Sequence, residues 1–135
     1  MRDKFVLVVD DEGLVKEYLE EVMGRHGYRH AAFTDPREAL VFFEMHVTKI
    51  DIVVADIRMP HISGYDFARE MLKIDPSVPV ILISAYFPSL NAVQESPNVK
   101  RVLCKPLSAK LLLEAMEVEL DEAGAGRIGP PTRPS

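Results

Sequence analysis

The stretch VVADIRMPHISG, Val53 to Gly64, runs three apolar residues into Asp56 and then into an arginine, a proline and a glycine. A carboxylate carried to the lip of a loop in this way can form a turn, cap a helix, bind a metal or act as a nucleophile. Other apolar runs end similarly: Phe5 to Val9 in Asp10 and Asp11, Val80 to Ile83 in Ser84, Val99 to Leu103 in Cys104 and Lys105. These groups lie tens of residues apart, so no local turn gathers them. If a fold does gather them, the acids repel, and a like pair at about 4 Å costs on the order of 4 kcal/mol at an effective dielectric near 20. Lys105 supplies one compensating positive charge and a divalent ion two. Magnesium suits best, because it takes hard oxygen ligands, needs only one or two carboxylates and accepts phosphate oxygens. No histidine and cysteine constellation invites zinc. Carboxylates, magnesium, an amine and a hydroxyl outline a phosphoryl site. Asp56, alone at the end of its run, is the candidate nucleophile, since aspartyl phosphates are a known covalent outcome. Taken singly, Asp10 and Asp11 could merely cap a helix and Ser84 could be a strand-end hydroxyl; the conjunction favours a site.

The elements that must position these groups alternate. Valine- and isoleucine-rich runs at Phe5 to Val9, Tyr28 to Phe33, Ile50 to Ala55, Val80 to Ile83 and Val99 to Leu103 are continuous rather than strictly alternating, which suggests strands covered on both faces of a parallel sheet. Leu14, Val15, Tyr18, Leu19, Val22 and Met23 have helical spacing, with Gly27 as a stop. DPRE at 35 to 38 offers Asp35 as N-cap, Pro36 at the first helical position and Glu38 three residues on. Tyr65 to Ile74 forms a third helix, and Ser108 caps a last one carrying Leu111, Leu112, Ala115 and Met116. In the fourth crossover, Pro88 and Pro97 bracket two helical turns at most, so any helix there is short or irregular. Five repeats of strand and helix predict an open five-stranded parallel α/β sheet with helices on both faces. Ligands then bind at the carboxyl edge of the sheet, where Asp10, Asp11, Asp56, Ser84 and Lys105 all fall.

Composition narrows the classes. The 135 residues, 47% apolar and 27% charged, fit one globular domain, assigned to 1–122, with a glycine- and proline-rich tail or linker over 123–135. A net charge of -5 without a clustered basic face argues against direct nucleic-acid binding. No apolar run approaches the roughly 18 to 20 residues that span a bilayer, so a cytoplasmic protein without membrane contact is expected. The single cysteine, Cys104, reads as a buried, inert apolar group.

The motifs VLVVDDE at 6–12, DIRMPHISG at 56–64, ILISAY at 81–86 and CKPLS at 104–108 together resemble the receiver domain of two-component response regulators. The resemblance covers Lys4 to about Leu120 and implies a flavodoxin-like strand order of 2-1-3-4-5. It implies that Asp10, Asp11, Asp56 and the Arg58 carbonyl hold Mg2+, and that Asp56 accepts a phosphoryl group from a sensor histidine kinase or histidine phosphotransfer protein. It implies further that Ser84 and Lys105 bind the phosphoryl oxygens, and that Pro106 follows the lysine through a bond that is often cis in the family. The chain is then a signalling phosphoacceptor rather than a conventional enzyme, and it regulates a downstream protein target by a two-state switch. Homodimerisation is compatible with this. The chain acts alone, or as one piece of a longer protein whose linker begins near Gly124.

Val102 departs from the family pattern, in which many members carry a tyrosine or phenylalanine three residues before the lysine; Tyr86 still places an aromatic ring near the site mouth. Two rival readings stand beside the phosphoacceptor. A degenerate receiver would serve only as an interaction module; the intact acids and lysine argue against it, while Val102 keeps it open. A small metal-dependent phosphohydrolase would want a second acid two residues after the nucleophile, where this chain has Arg58. His61 reads as a solvated loop residue, and His26, His30 and His46 lack ligand spacing.

Overall fold

The computed structural model describes residues 3–85 and 96–128, with side chains of the last helix described to residue 124. The chain runs β1 (Phe5–Val9), α1 (Gly13–Arg25), β2 (Arg29–Phe33), α2 (Pro36–Met45), β3 (Ile52–Asp56), α3 (Gly64–Ile74), β4 (Val80–Ser84), β5 (Val99–Cys104) and α4 (Ala109–Ile128). The strands form one parallel sheet, as the alternation of elements predicts, in the order β2-β1-β3-β4-β5 that the receiver resemblance implies. The fourth crossover, including Tyr86, lies outside the described residues.

Strand period explains how unbroken apolar runs fill two cores. Side chains alternate across a pleated strand, so a run such as VLVV supplies both faces. Leu7, Val9, Val53, Ala55, Val80 and Leu82 pack with Phe43 of α2 and Phe67 and Met71 of α3. Val6, Val8, Ile52, Val54, Ile81 and Ile83 pack with Leu19 and Met23 of α1 and Leu112 and Met116 of α4. Each large side chain buried in this way contributes about 1.5–3 kcal/mol. The rule holds for the three central strands, whose residues are almost wholly buried, and fails at the edges. β2 and β5 each lack a neighbour on one side, and most of their residues keep some exposure. Cys104 therefore corrects the expectation of a buried thiol: it ends the edge strand β5 and is exposed.

Local signals set the helix ends. Asp35 caps α2, its carboxylate accepting the Arg37 N–H at 2.9 Å, and Pro36 opens the helix; Glu38 does not complete a capping box. Helix α3 has the box instead: Ser63 Oγ accepts the Asp66 N–H at 3.1 Å, and the Asp66 carboxylate accepts the Ser63 N–H. Gly27 stops α1 at φ 78°. Tyr28 N–H donates to Met23 O and Gly27 N–H to Gly24 O, the two bonds of a Schellman motif. Ser108 Oγ accepts the Leu111 N–H at the start of α4. That helix continues to Ile128, so residues 123–128, assigned to the tail by composition, are helical. No helix among the described residues is long and apolar enough to cross a membrane.

Candidate functional site

Parallel registry brings the strand ends level. Val9 pairs with Phe33 and Ala55, Asp56 with Ile83, and Ser84 with Cys104, so the residues that follow β1, β3, β4 and β5 open onto one edge. Main-chain bonds hold the rim: Asp10 N–H donates to Phe33 O at 3.0 Å, Ile57 N–H to Ile83 O at 2.9 Å and Lys105 N–H to Ser84 O at 2.8 Å.

Carboxylate oxygens of Asp10, Asp11 and Asp56 lie within 4.8 Å of one another, a group that could hold a metal ion. Asp10 and Asp56 are buried and Asp11 is exposed. Lys105 Nζ stands 3.3 Å from Asp56 Oδ1 and 3.7 Å from Glu12 Oε1. Glu12 is the member of the site that residue order did not reveal; its only signal there is a third consecutive acid. Ser84 is buried at the end of β4, and Arg58 is exposed in the loop after Asp56. The Lys105–Pro106 bond is cis. Val102 is half-buried against the core beneath α2 and α3.

Helix capping does not account for Asp10. Its Oδ1 accepts the N–H of Glu12 at 2.9 Å, and Glu12 is itself the N-cap of α1, so no N–H of the first helical turn is served. Its Oδ2 is buried and has no hydrogen-bond partner. A buried carboxylate oxygen without a donor is costly unless a cation answers it. Together with two neighbouring carboxylates and an all-oxygen donor set, that orphan fits a hard divalent ion.

Electrostatics reflect the same crowding. Burial pushes the Asp10 carboxyl up to about 6; the Glu12 N–H opposes this, and the Asp56 charge adds to it. Burial also raises Asp56, against the pull of the Lys105 ammonium. Burial would lower Lys105, but the carboxylates of Asp56, Asp10 and Glu12 raise it on balance.

A folded-state carboxyl raised from 3.8 to about 6 binds its proton more tightly than the unfolded chain does. Its stabilising effect is complete below pH 3.8 and is lost as pH rises through about 6, a swing on the order of 3 kcal/mol. Asp10→Asn keeps the acceptor for Glu12 N–H and removes the buried charge. In chelator at pH 8 the variant is expected to be more stable than wild type by about 1–2 kcal/mol, the remainder being lost to an imperfectly paired amide. The gap should close near pH 5 and reverse by about 1 kcal/mol near pH 4, where wild type regains its buried proton, and urea unfolding across this range measures it.

The remaining candidates disperse. His61 is exposed, with φ 74°. His26 Nδ1 meets Val22 O at 3.0 Å, His30 Nδ1 meets Tyr28 O at 3.2 Å, and the His46 ring packs 4.4 Å from Phe42. Leu112 is in the core, whereas Leu111 is exposed.

Residues 6–117 match the response regulator receiver domain family. The chemotaxis protein CheY of Thermotoga maritima is 32% identical over 115 residues, covering 84% of this chain and 94% of that protein. An uncharacterised transcriptional regulatory protein of Bacillus subtilis, YbdJ, is 26% identical over 121 residues. The chain spans about half of that protein, 52%, and 30% of a probable transcriptional regulator, ycf27, of Guillardia theta. Among solved structures, a response regulator receiver domain protein from Clostridium thermocellum superposes with a TM-score of 0.84 at 26% identity, covering 90% of this chain and 98% of that one.

Proposed function

The chain belongs to the response regulator receiver domain family, and on that premise we propose that it accepts a phosphoryl group on Asp56 and switches conformation to regulate a partner protein. The observation that carries this reading is the buried Asp56 carboxylate, 3.3 Å from the Lys105 ammonium and flanked by the carboxylates of Asp10 and Asp11.

In the proposed reaction the donor is a phosphohistidine of a sensor histidine kinase or histidine phosphotransfer protein. An Asp56 carboxylate oxygen attacks phosphorus, the P–N bond breaks as the P–O bond forms, and the imidazole leaves with the electron pair and takes up a proton. Lys105 neutralises part of the charge on the phosphoryl oxygens, and the Ser84 hydroxyl donates to another of them. Asp10, Asp11 and Asp56, with the Arg58 carbonyl, would hold Mg2+. When bound, Mg2+ draws the crowded oxygens together and offsets the charge of the transferring group. The roles divide cleanly, with Asp10 and Asp11 binding, Lys105 and Ser84 orienting and Asp56 reacting.

Phosphorylation adds roughly -1.5 to -2 charges at Asp56, enough to redraw the contacts of Ser84 and Lys105 and shift the population of the surrounding loops. Downstream output is through protein contacts, in the cytoplasm. A phosphohydrolase fits less well, because Arg58 occupies the place of its second acid.

The test is intact-mass measurement after incubation with Mg2+ and phosphoramidate. One added phosphoryl group is expected, absent in EDTA and decaying over minutes to hours. Borohydride should convert the acyl phosphate at residue 56 to homoserine, which peptide mapping locates. An unmodified mass sinks the proposal in favour of an inert module, and sustained release of phosphate without a labelled protein favours the hydrolase.

A further inference from the structure

We propose that Glu12 is a positioning residue that restrains the Lys105 ammonium and thereby slows phosphoryl transfer to Asp56. The inference rests on Asp56 being the acceptor. Glu12 follows the two aspartates and is the N-cap of α1, yet its side chain makes no capping bond, so the helix does not account for where its carboxylate lies. Its backbone is fixed at the site by the 2.9 Å bond from its N–H to Asp10 Oδ1. Its carboxylate lies 3.7 Å from Lys105 Nζ, while Asp56 Oδ1 lies 3.3 Å from the same nitrogen.

Exposure orders these three side chains from the interior outward: Asp56 at 7%, Lys105 at 28% and Glu12 at 62%. The ammonium therefore bridges a buried acceptor and an acid at the solvent side. A phosphoryl donor enters from solvent, and one oxygen of Asp56 becomes the ester-like oxygen of the acyl phosphate. The ammonium must then leave that carboxylate and follow a phosphoryl oxygen. Glu12 competes for it throughout. With phosphoramidate the balance is simple: the P–N bond breaks, the bond from Asp56 oxygen to phosphorus forms, and ammonia leaves with the electron pair and the donor's proton. Removal of the Glu12 charge frees the ammonium to move with the incoming anion.

The experiment is a double-mutant cycle of Glu12→Gln and Lys105→Met in the full chain, with the rate of labelling by phosphoramidate and saturating Mg2+ followed by intact mass. In the native background Glu12→Gln should raise the rate about two- to fivefold, the scale of a partly exposed ion pair. In the Lys105→Met background the same substitution should change nothing. An unchanged or slower rate in the single variant overturns the inference, as does an equal acceleration in both backgrounds, which would mean that Glu12 acts on the donor's charge directly. Failure of the unmutated chain to be labelled at residue 56 is a separate result; it overturns the acceptor assignment and this inference with it.

Discussion

Asp56→Asn is expected to take up no phosphoryl group from phosphoramidate and Mg2+ under conditions that label the unmutated chain. Amide oxygen is a far poorer nucleophile than carboxylate, and neither neighbouring acid is placed to substitute. Asp10 Oδ1 is committed to the Glu12 N–H, and its other oxygen is buried in the acidic cluster. Asp11 is exposed and makes no ion pair with Lys105 among those described, whereas Asp56 makes one at 3.3 Å. The loss should be complete by intact mass. A variant that still gains one phosphate shows that another residue is the acceptor. The substitution also removes one of the three clustered carboxylate charges that would hold the metal. Mg2+ at ten times its dissociation constant stabilises a protein by about 1.4 kcal/mol. Thermal unfolding should show that shift in the unmutated chain, and Asp56→Asn should require more Mg2+ to reach it.

Gly64→Ala should be the most disruptive of the alanine substitutions at Gly13, Gly24, Gly64 and Gly124. A Cβ on Gly64 would lie 2.6 Å from the carbonyl oxygen of Asp56, 3.0 Å from Ile57 Cα and 3.0 Å from Leu82 Cδ2. Two of these three are backbone atoms, so no side chain can swing aside to relieve them, and the loop or the end of β3 must move. Gly64 N–H also donates to Ile57 O at 2.8 Å, the bond that ties the start of α3 to the acceptor strand. Overpacking against backbone costs about 2–3 kcal/mol, which corresponds to roughly 8–10 °C in melting temperature for a chain of this size. Labelling at Asp56 should slow as well, because the displaced atoms belong to the proposed acceptor residue. Gly13→Ala is the control: its Cβ would meet nothing within 4 Å, and the melting temperature should barely change. A Gly64→Ala protein as stable as the unmutated chain would refute the packing argument.

Much of this protein was legible in residue order. Continuous valine-rich runs separated by helical patterns specify a parallel sheet, because alternation along each strand sends neighbouring side chains to opposite cores. The Asp35 cap, the Gly27 stop and the delivery of Asp10, Asp11, Asp56, Ser84 and Lys105 to one edge follow from such short-range patterns, whereas the strand order was implied by the receiver motifs. That the acids and the lysine meet at one edge could be inferred from the strand ends on which they fall.

What the residue order left undecided depends on neighbours that only the folded sheet creates. Cys104 read as core because a lone free cysteine is usually a small buried apolar group, but it ends an edge strand that lacks the covering a central one has. Composition placed 123–128 in a tail, whereas the helix begun at Ala109 carries on through them, since glycine and alanine can extend a helix already nucleated. Glu12 reads as a surface acid until the loop after β1 and the end of β5 set its carboxylate beside Lys105. Nothing local distinguishes the raised Asp10 carboxyl from any other aspartate; burial and the charges across the sheet edge do that. Patterns a few residues long fix elements and deliver side chains to an edge, whereas distance, burial and shared partners among groups from separate strands are settled by tertiary packing.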